Sequence, residues 1–226
     1  MRLFITGASR GLGKCVAEQA KLSGHKVLAV VRNIRTENSR HLQEMGIELF
    51  ECDLSQLKSV KNDLIKNKLL SFDPDTIVLN ASAIEDDFDN QLDFSKTENI
   101  INTNFLSPMA IVASLLNSPT SKKRCFIAIS SFSAFVATDT KRIGYPSSKA
   151  ALSMAFSSLR LGEDAKKARF ITFEPGRMSQ LEGSKILSYQ SVAKKVLASA
   201  KSENSRRVIR IPFFLSIVAS VLTLSP

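Results

Sequence analysis

The sequence predicts an α/β protein, a parallel sheet of about seven strands doubly wound with helices on both faces. Three observations predict it. Short apolar runs alternate with helical stretches along the chain. A glycine-rich turn stands where the first run meets the first helix. A Tyr and a Lys, Tyr145 and Lys149, lie one helical turn apart late in the chain.

The strand candidates are residues 2–5, Lys26–Val31, Ile47–Cys52, Thr76–Leu79, Arg124–Ser130, Arg169–Phe173 and Val208–Ile211. Each is a short apolar run bounded by polar or turn residues. Helical stretches separate them: one following Gly13, then Arg35–Met45, Ser55–Leu70, Ile101–Leu116, Tyr145–Leu161 and Ser191–Ser202. No internal repeat or long low-complexity linker interrupts the pattern, so residues 1–226 are read as one domain.

After residues 2–5 comes Thr6-Gly7-Ala8-Ser9-Arg10-Gly11-Leu12-Gly13. A strand, a glycine turn and a helix in succession aim backbone N–H groups at an anion, usually a pyrophosphate. Gly7 allows the tight turn, Gly11 the close approach of phosphate, and Gly13 close packing of helix on sheet. Tyr145 and Lys149 point the same way from a helix. An ammonium beside a phenol favours the phenolate, which would make Tyr145 a proton donor or acceptor near neutral pH.

The glycine turn and the Tyr/Lys pair together resemble the short-chain dehydrogenase/reductase family, over roughly Met1 to Gly176. Further motifs follow in that family's order. Cys52-Asp53-Leu54 looks like the segment whose acid hydrogen-bonds adenine. Leu79-Asn80-Ala81-Ser82 resembles the Asn-Asn-Ala-Gly motif after the fourth strand. Asn104 sits where the family carries its active-site Asn, and Ser131 where it carries its catalytic Ser. Glu174-Pro175-Gly176 resembles the Pro-Gly after the sixth strand.

The resemblance implies a Rossmann-type sheet in the order 3-2-1-4-5-6-7 and an oxidoreductase interconverting a carbonyl and an alcohol. It assigns Tyr145 as acid/base and Lys149 as the residue lowering the tyrosine pKa and holding the nicotinamide ribose. Ser131 would hydrogen-bond the substrate oxygen, and Asn104 would hold a water in a proton relay. It places the cofactor against Gly7, Ser9, Arg10, Gly11, Leu12, Gly13, Arg32, Asp53, Leu54, Asn80, Ala81, Ser82, Tyr145, Lys149, Pro175 and Gly176. Ser130 and Ser133 are alternatives to Ser131, and Ser82 replaces the family's Gly. Ser179 or Gln180 stands in for the Thr that often follows Pro-Gly.

Strand two ends Val30-Val31-Arg32, with no acid where an NAD-binding enzyme carries one to hold the ribose 2′-hydroxyl. A guanidinium at Arg32 suits a 2′-phosphate, so NADP(H) is the cofactor expected. A nucleotide-binding regulatory or scaffold protein without turnover, a membrane-peripheral one included, is the second reading. Retention of Asn104, Ser131, Tyr145 and Lys149 argues against it.

Composition narrows the classes further. Apolar content of 44% and charged content of 23% are ordinary for a globular domain. The net charge of +10 comes from scattered basic residues, with no Trp, two Tyr and no nucleic-acid motif, which argues against nucleic acid as partner. Cys15, Cys52 and Cys125 lie far apart and read as small buried hydrophobes in a reducing compartment. Neither His25 nor His41 has a Cys or His at ligand spacing, so no metal site is expected. With the first strand starting at residue 2, a cytoplasmic chain is expected.

The segment Arg177–Gln190 is short, and the resemblance makes it the lid over the substrate, which implies an open or shallow pocket. The acidic loop Glu85-Asp86-Asp87-Phe88-Asp89 reads as solvated. The apolar segment 212–226 follows a basic stretch and is too short for a bilayer core about 30 Å thick. Packing on its own domain or across a dimer interface is favoured; shallow attachment to an anionic bilayer is the alternative. The expected partners are thus a small-molecule substrate and a second copy of the chain.

Overall fold

The computed structural model describes residues 1–119, 122–136, 140–162, 168–179, 187–202 and 207–212. The apolar tail from residue 213, and Gln180 with half of the lid segment, lie outside the described residues.

A seven-stranded parallel sheet forms the centre, in the order β11-β8-β7-β4-β1-β2-β3. Its strands are β1 (Arg2–Thr6), β2 (Lys26–Val31), β3 (Glu48–Glu51), β4 (Thr76–Leu79), β7 (Arg124–Ile129), β8 (Ala168–Pro175) and β11 (Val208–Ile211). This is the order implied by the family resemblance. Two short ribbons stand apart, antiparallel β5 (Phe88–Asp89) with β6 (Gln91–Leu92), and parallel β9 (Met178–Ser179) with β10 (Leu187–Ser188). Two-residue strands carry no periodicity, which is why the sequence did not announce them.

Successive strand residues point to opposite faces, and both faces are covered. On one side Leu3, Ile5, Val27 and Ile127 pack under α1 (Gly11–Leu22), α2 (Glu37–Glu44) and α6 (Tyr189–Lys201). On the other, Phe4, Leu28, Ile77 and Phe126 meet three longer helices. The first, α3, runs through Leu57–Ser59, a π-helical stretch Val60–Leu69 and Leu70–Phe72. The second, α4, runs through Phe94–Ile101, a π-helical stretch Asn102–Leu106 and Ser107–Leu116. The third, α5, is Gly144–Leu161.

By length and composition α4 could cross a membrane. Here Ile111, Val112 and Leu115 are buried in the core. Helix α4 begins seven residues earlier than the sequence pattern suggested, because Asp93 caps it by accepting from the Lys96 N–H at 3.1 Å. Cys52 and Cys125 are buried, as small apolar residues would be.

Candidate active site

The carboxyl ends of β1, β4, β7 and β8 bring the motifs together, beside the point where strand order reverses. Thr6, buried at the end of β1, accepts hydrogen bonds through its Oγ1 from the backbone N–H groups of Asn80 and Ala81, both at 3.1 Å. Asn80 returns the tie: its Nδ2 donates to the carbonyls of Thr6 at 3.1 Å and Gly7 at 3.0 Å. The side chain of Asn80 therefore holds the glycine turn in shape.

Gly11 takes φ +58°, a conformation that favours glycine, and opens α1. A Cβ on Gly13 would overlap the Gly7 carbonyl and the Asn80 amide, so only glycine fits there. Arg10 occupies the N-cap of α1 but makes no side-chain cap bond. The first-turn N–H groups at Gly11, Leu12 and Gly13 thus form a cradle for an anion, and Ser9 and Arg10 border it. These features fit a dinucleotide pyrophosphate.

At the carboxyl end of β2, Val31 is turned into the core, while Arg32 is exposed. The turn after it is held by Glu51, whose Oε2 accepts from the Ile34 N–H at 2.8 Å. The sequence reading passed over Glu51, whose nearness to this turn comes only from the β2–β3 pairing of Val31 with Glu51. Asp53 is exposed beyond β3, and its Oδ1 accepts from the Ser55 N–H. The Leu54 carbonyl accepts from the Ser107 hydroxyl of α4 at 2.6 Å.

At the other end, Ser131, Tyr145 and Lys149 converge. The Ser131 hydroxyl lies beside the Tyr145 phenol, close enough to favour its phenolate. Its Oγ also accepts from the Ser133 N–H at 3.1 Å, opening a 3₁₀ turn, Phe132–Ala134. Ser130 faces the opposite way: its hydroxyl donates to the Lys149 carbonyl at 3.0 Å and lies 2.7 Å from Ser153 Oγ. The geometry therefore puts Ser131, among the three serines, at the tyrosine. Ser153 also reaches Glu174, whose buried carboxylate pairs with Arg210 at 2.8 Å. Pro175 and Gly176 follow at the end of β8, with the Gly176 N–H bonded to the Ile211 carbonyl.

Lys149 is 2% exposed, and its Nζ donates to the Ile129 carbonyl at the end of β7 at 2.9 Å. Burial pushes its pKa down to about 8. The ammonium stands 5.8 Å from the centre of the Tyr145 ring. The tyrosine itself departs from the sequence expectation. Its pKa is raised, because burial disfavours the phenolate, while the neighbouring Ser131 hydroxyl and the Arg142 charge pull the other way. A lysine directed at a backbone carbonyl, with its own charge disfavoured, does not reverse that balance.

Asn104 lies in the π-helical stretch of α4 and is fully buried. Its Oδ1 accepts from the Ala83 N–H at 2.7 Å, and its Nδ2 donates to the Ala83 carbonyl and to Ser148 Oγ, both at 2.9 Å. It thus clamps the loop after β4, with Ala81 and Ser82, to the turn of α5 between Tyr145 and Lys149.

The acidic loop holds a residue the sequence reading placed wrongly. Asp87 is 1% exposed, not solvated. Its two carboxylate oxygens accept from the N–H groups of Ile143 at 2.8 Å and Gly144 at 2.7 Å, and from the Thr97 hydroxyl at 2.8 Å. A carboxylate from a distant loop caps the helix that carries Tyr145 and Lys149.

Comparison with known proteins gives the same picture. The family model described as short chain dehydrogenase matches residues 2–185. A fatty acyl-CoA reductase of Acinetobacter baylyi is 30% identical over 179 residues, covering 75% of this chain and 59% of the reductase. An uncharacterized short-chain type dehydrogenase/reductase of Sinorhizobium fredii is 27% identical over 180 residues, covering 77% of this chain and 68% of its own. Among solved structures, an alcohol dehydrogenase from Thermococcus sibiricus complexed with 5-hydroxy-NADP superimposes with a TM-score of 0.75 at 24% identity. That match covers 93% of this chain and 95% of the other. A short chain dehydrogenase from Burkholderia cenocepacia in complex with NADP gives 0.80 at 17% identity, covering 93% and 95%. With its glycine cradle, its sheet order and this match over most of its length, the chain belongs to the short-chain dehydrogenase family.

Proposed function

We propose that the protein is an NADP(H)-dependent oxidoreductase that interconverts a carbonyl and an alcohol. The observation that carries the reading is the convergence of Ser131, Tyr145 and Lys149 beside the glycine cradle. The cofactor, when bound, supplies or accepts the hydride at the substrate carbon. Tyr145 gives its phenolic proton to the carbonyl oxygen in reduction and takes it back in oxidation. Ser131 aligns that oxygen through its hydroxyl. Lys149, held on the Ile129 carbonyl, orients the ribose and returns the proton to the phenol. Asn104 keeps the helix and the loop after β4 in register.

Arg32, exposed at the end of β2 with no acid at Val31, supports NADP(H) over NAD(H). Solved relatives include complexes with NADP and, for a 4-hydroxyisoleucine dehydrogenase, with NADH. Kinship with a fatty acyl-CoA reductase makes long-chain aldehydes and acyl thioesters the first substrates to try. Met154 and Leu161, seven apart on α5, are 68% and 89% exposed, which supports self-association.

The test is a panel of aldehydes, ketones and acyl thioesters scored by NADPH consumption. With an active substrate, Tyr145→Phe is expected to lose nearly all turnover while NADPH affinity stays unchanged. Substantial turnover by Tyr145→Phe overturns the assignment of the proton donor.

A further inference from the structure

Tyr189 opens α6, and its ring lies on the glycine turn at the other end of the sequence. A Cβ on Gly11 would find the ring 3.5 Å away and the hydroxyl 3.7 Å away. Among the described residues nothing closer approaches that face of Gly11. The placement is built in. Ser188 caps α6 by accepting from the Ser191 N–H at 3.2 Å and pairs, in β10, with Ser179 of β9. Helix α6 packs along α1, with Val192, Ala193 and Val196 buried in the core that holds Val16 and Ala17.

Two observations point from this ring to an anion. Among the described residues the Tyr189 hydroxyl makes no hydrogen bond, although the side chain is half-buried. The N-terminus of α1 beside it is left without a side-chain cap by Arg10. An unpartnered donor thus stands next to an open row of N–H donors. A phenol is a neutral donor, so it adds a hydrogen bond without a charge.

We propose that Tyr189 is a cofactor-binding residue whose hydroxyl donates to the dinucleotide pyrophosphate on the glycine turn. The inference rests on the dinucleotide reading of the preceding section and extends it to the far side of the phosphates. The cradle of α1 amides meets the pyrophosphate from one side and the phenol meets it from the other. The ring also covers Gly11.

The experiment is titration of NADPH and of adenosine 2′-monophosphate into wild type, Tyr189→Phe and Tyr189→Ala. The adenosine probe carries the 2′-phosphate and no pyrophosphate. Tyr189→Phe keeps the ring against Gly11 and removes only the donor. It is expected to weaken NADPH about tenfold and to leave the adenosine probe unchanged. NADPH affinity of Tyr189→Phe within twofold of wild type overturns the proposal. Tighter NADPH binding by Tyr189→Ala also overturns it, because the ring would then obstruct the phosphates. If wild type binds neither NADPH nor NADH, the dinucleotide reading itself fails, a result distinct from both.

Discussion

The Asp87 carboxylate accepts the backbone N–H of Gly144 at 2.7 Å, and a Cβ on Gly144 would lie at the same distance from that oxygen. The loop after β4 and the helix carrying Tyr145 are therefore joined at a point that tolerates neither a longer residue nor a weaker acceptor. Asp87→Asn leaves one oxygen for donors that now share two. We expect it to cost on the order of 1–3 kcal/mol, read as a lower midpoint in urea unfolding. Burial alone would raise the Asp87 pKa, but the hydrogen bonds from Ile143, Thr97 and Gly144 outweigh it and the net shift is downward. A depressed carboxyl contributes stability above its unfolded pKa and loses it as pH falls through the folded value. The wild type should therefore lose stability more steeply than Asp87→Asn below about pH 4. Parallel acid limbs would contradict this.

Gly13→Ala should damage the cradle directly. The added methyl meets the Gly7 carbonyl and the Asn80 amide, the groups that shape the turn. Overpacking against backbone costs about 1–3 kcal/mol. NADPH binding should fall below detection in calorimetry even where the protein remains folded by circular dichroism. Wild-type affinity in this variant would show that the turn is softer than its contacts imply.

Lys149→Met should stabilise the protein at neutral pH. Burial lowers the lysine pKa from 10.5 to about 8, so the ammonium is disfavoured in the folded state. Between those values the unfolded chain binds the proton and the folded chain does not, so stability from this group rises with pH. Below pH 8 the deficit is on the order of 3 kcal/mol. The Met variant should melt higher than wild type at pH 7, and the gap should close as pH approaches 10.5. A gap independent of pH would mean that the buried ammonium is not its source. Activity should be lost throughout, the usual exchange at a site strained for function.

Arg32→Glu tests the cofactor preference. A charge-assisted hydrogen bond contributes about 1.5–3 kcal/mol, so wild type should bind NADPH at least about tenfold more tightly than NADH. The Glu variant should reverse the order, since its carboxylate repels a 2′-phosphate and accepts from a 2′-hydroxyl. Equal dissociation constants in wild type would remove Arg32 from the site. Glu51, already bonded to the Ile34 N–H, would then be the acid to examine at the ribose.

The features legible in the sequence were those whose physics is local. A buried parallel strand is an apolar run, so Lys26–Val31, Thr76–Leu79 and Val208–Ile211 were read with the bounds they have. The glycine turn was legible because a strand and a helix flank it, and Tyr145 and Lys149 because four residues make one helical turn. Tertiary structure decided the rest. That Ser130 and Ser131 point to opposite sides follows from extended backbone and was legible in the sequence; the tertiary structure brought the Tyr145 phenol to the Ser131 side. Asp87 looked like one of several solvated acids, and only the approach of Gly144, distant in sequence, makes it a helix cap. Tyr189 and Gly11 lie at opposite ends of the chain and meet because α1 and α6 share one face of the sheet. Burial, which raises the Tyr145 pKa and lowers that of Lys149, is set by the assembled core and by no spacing of residues along the chain.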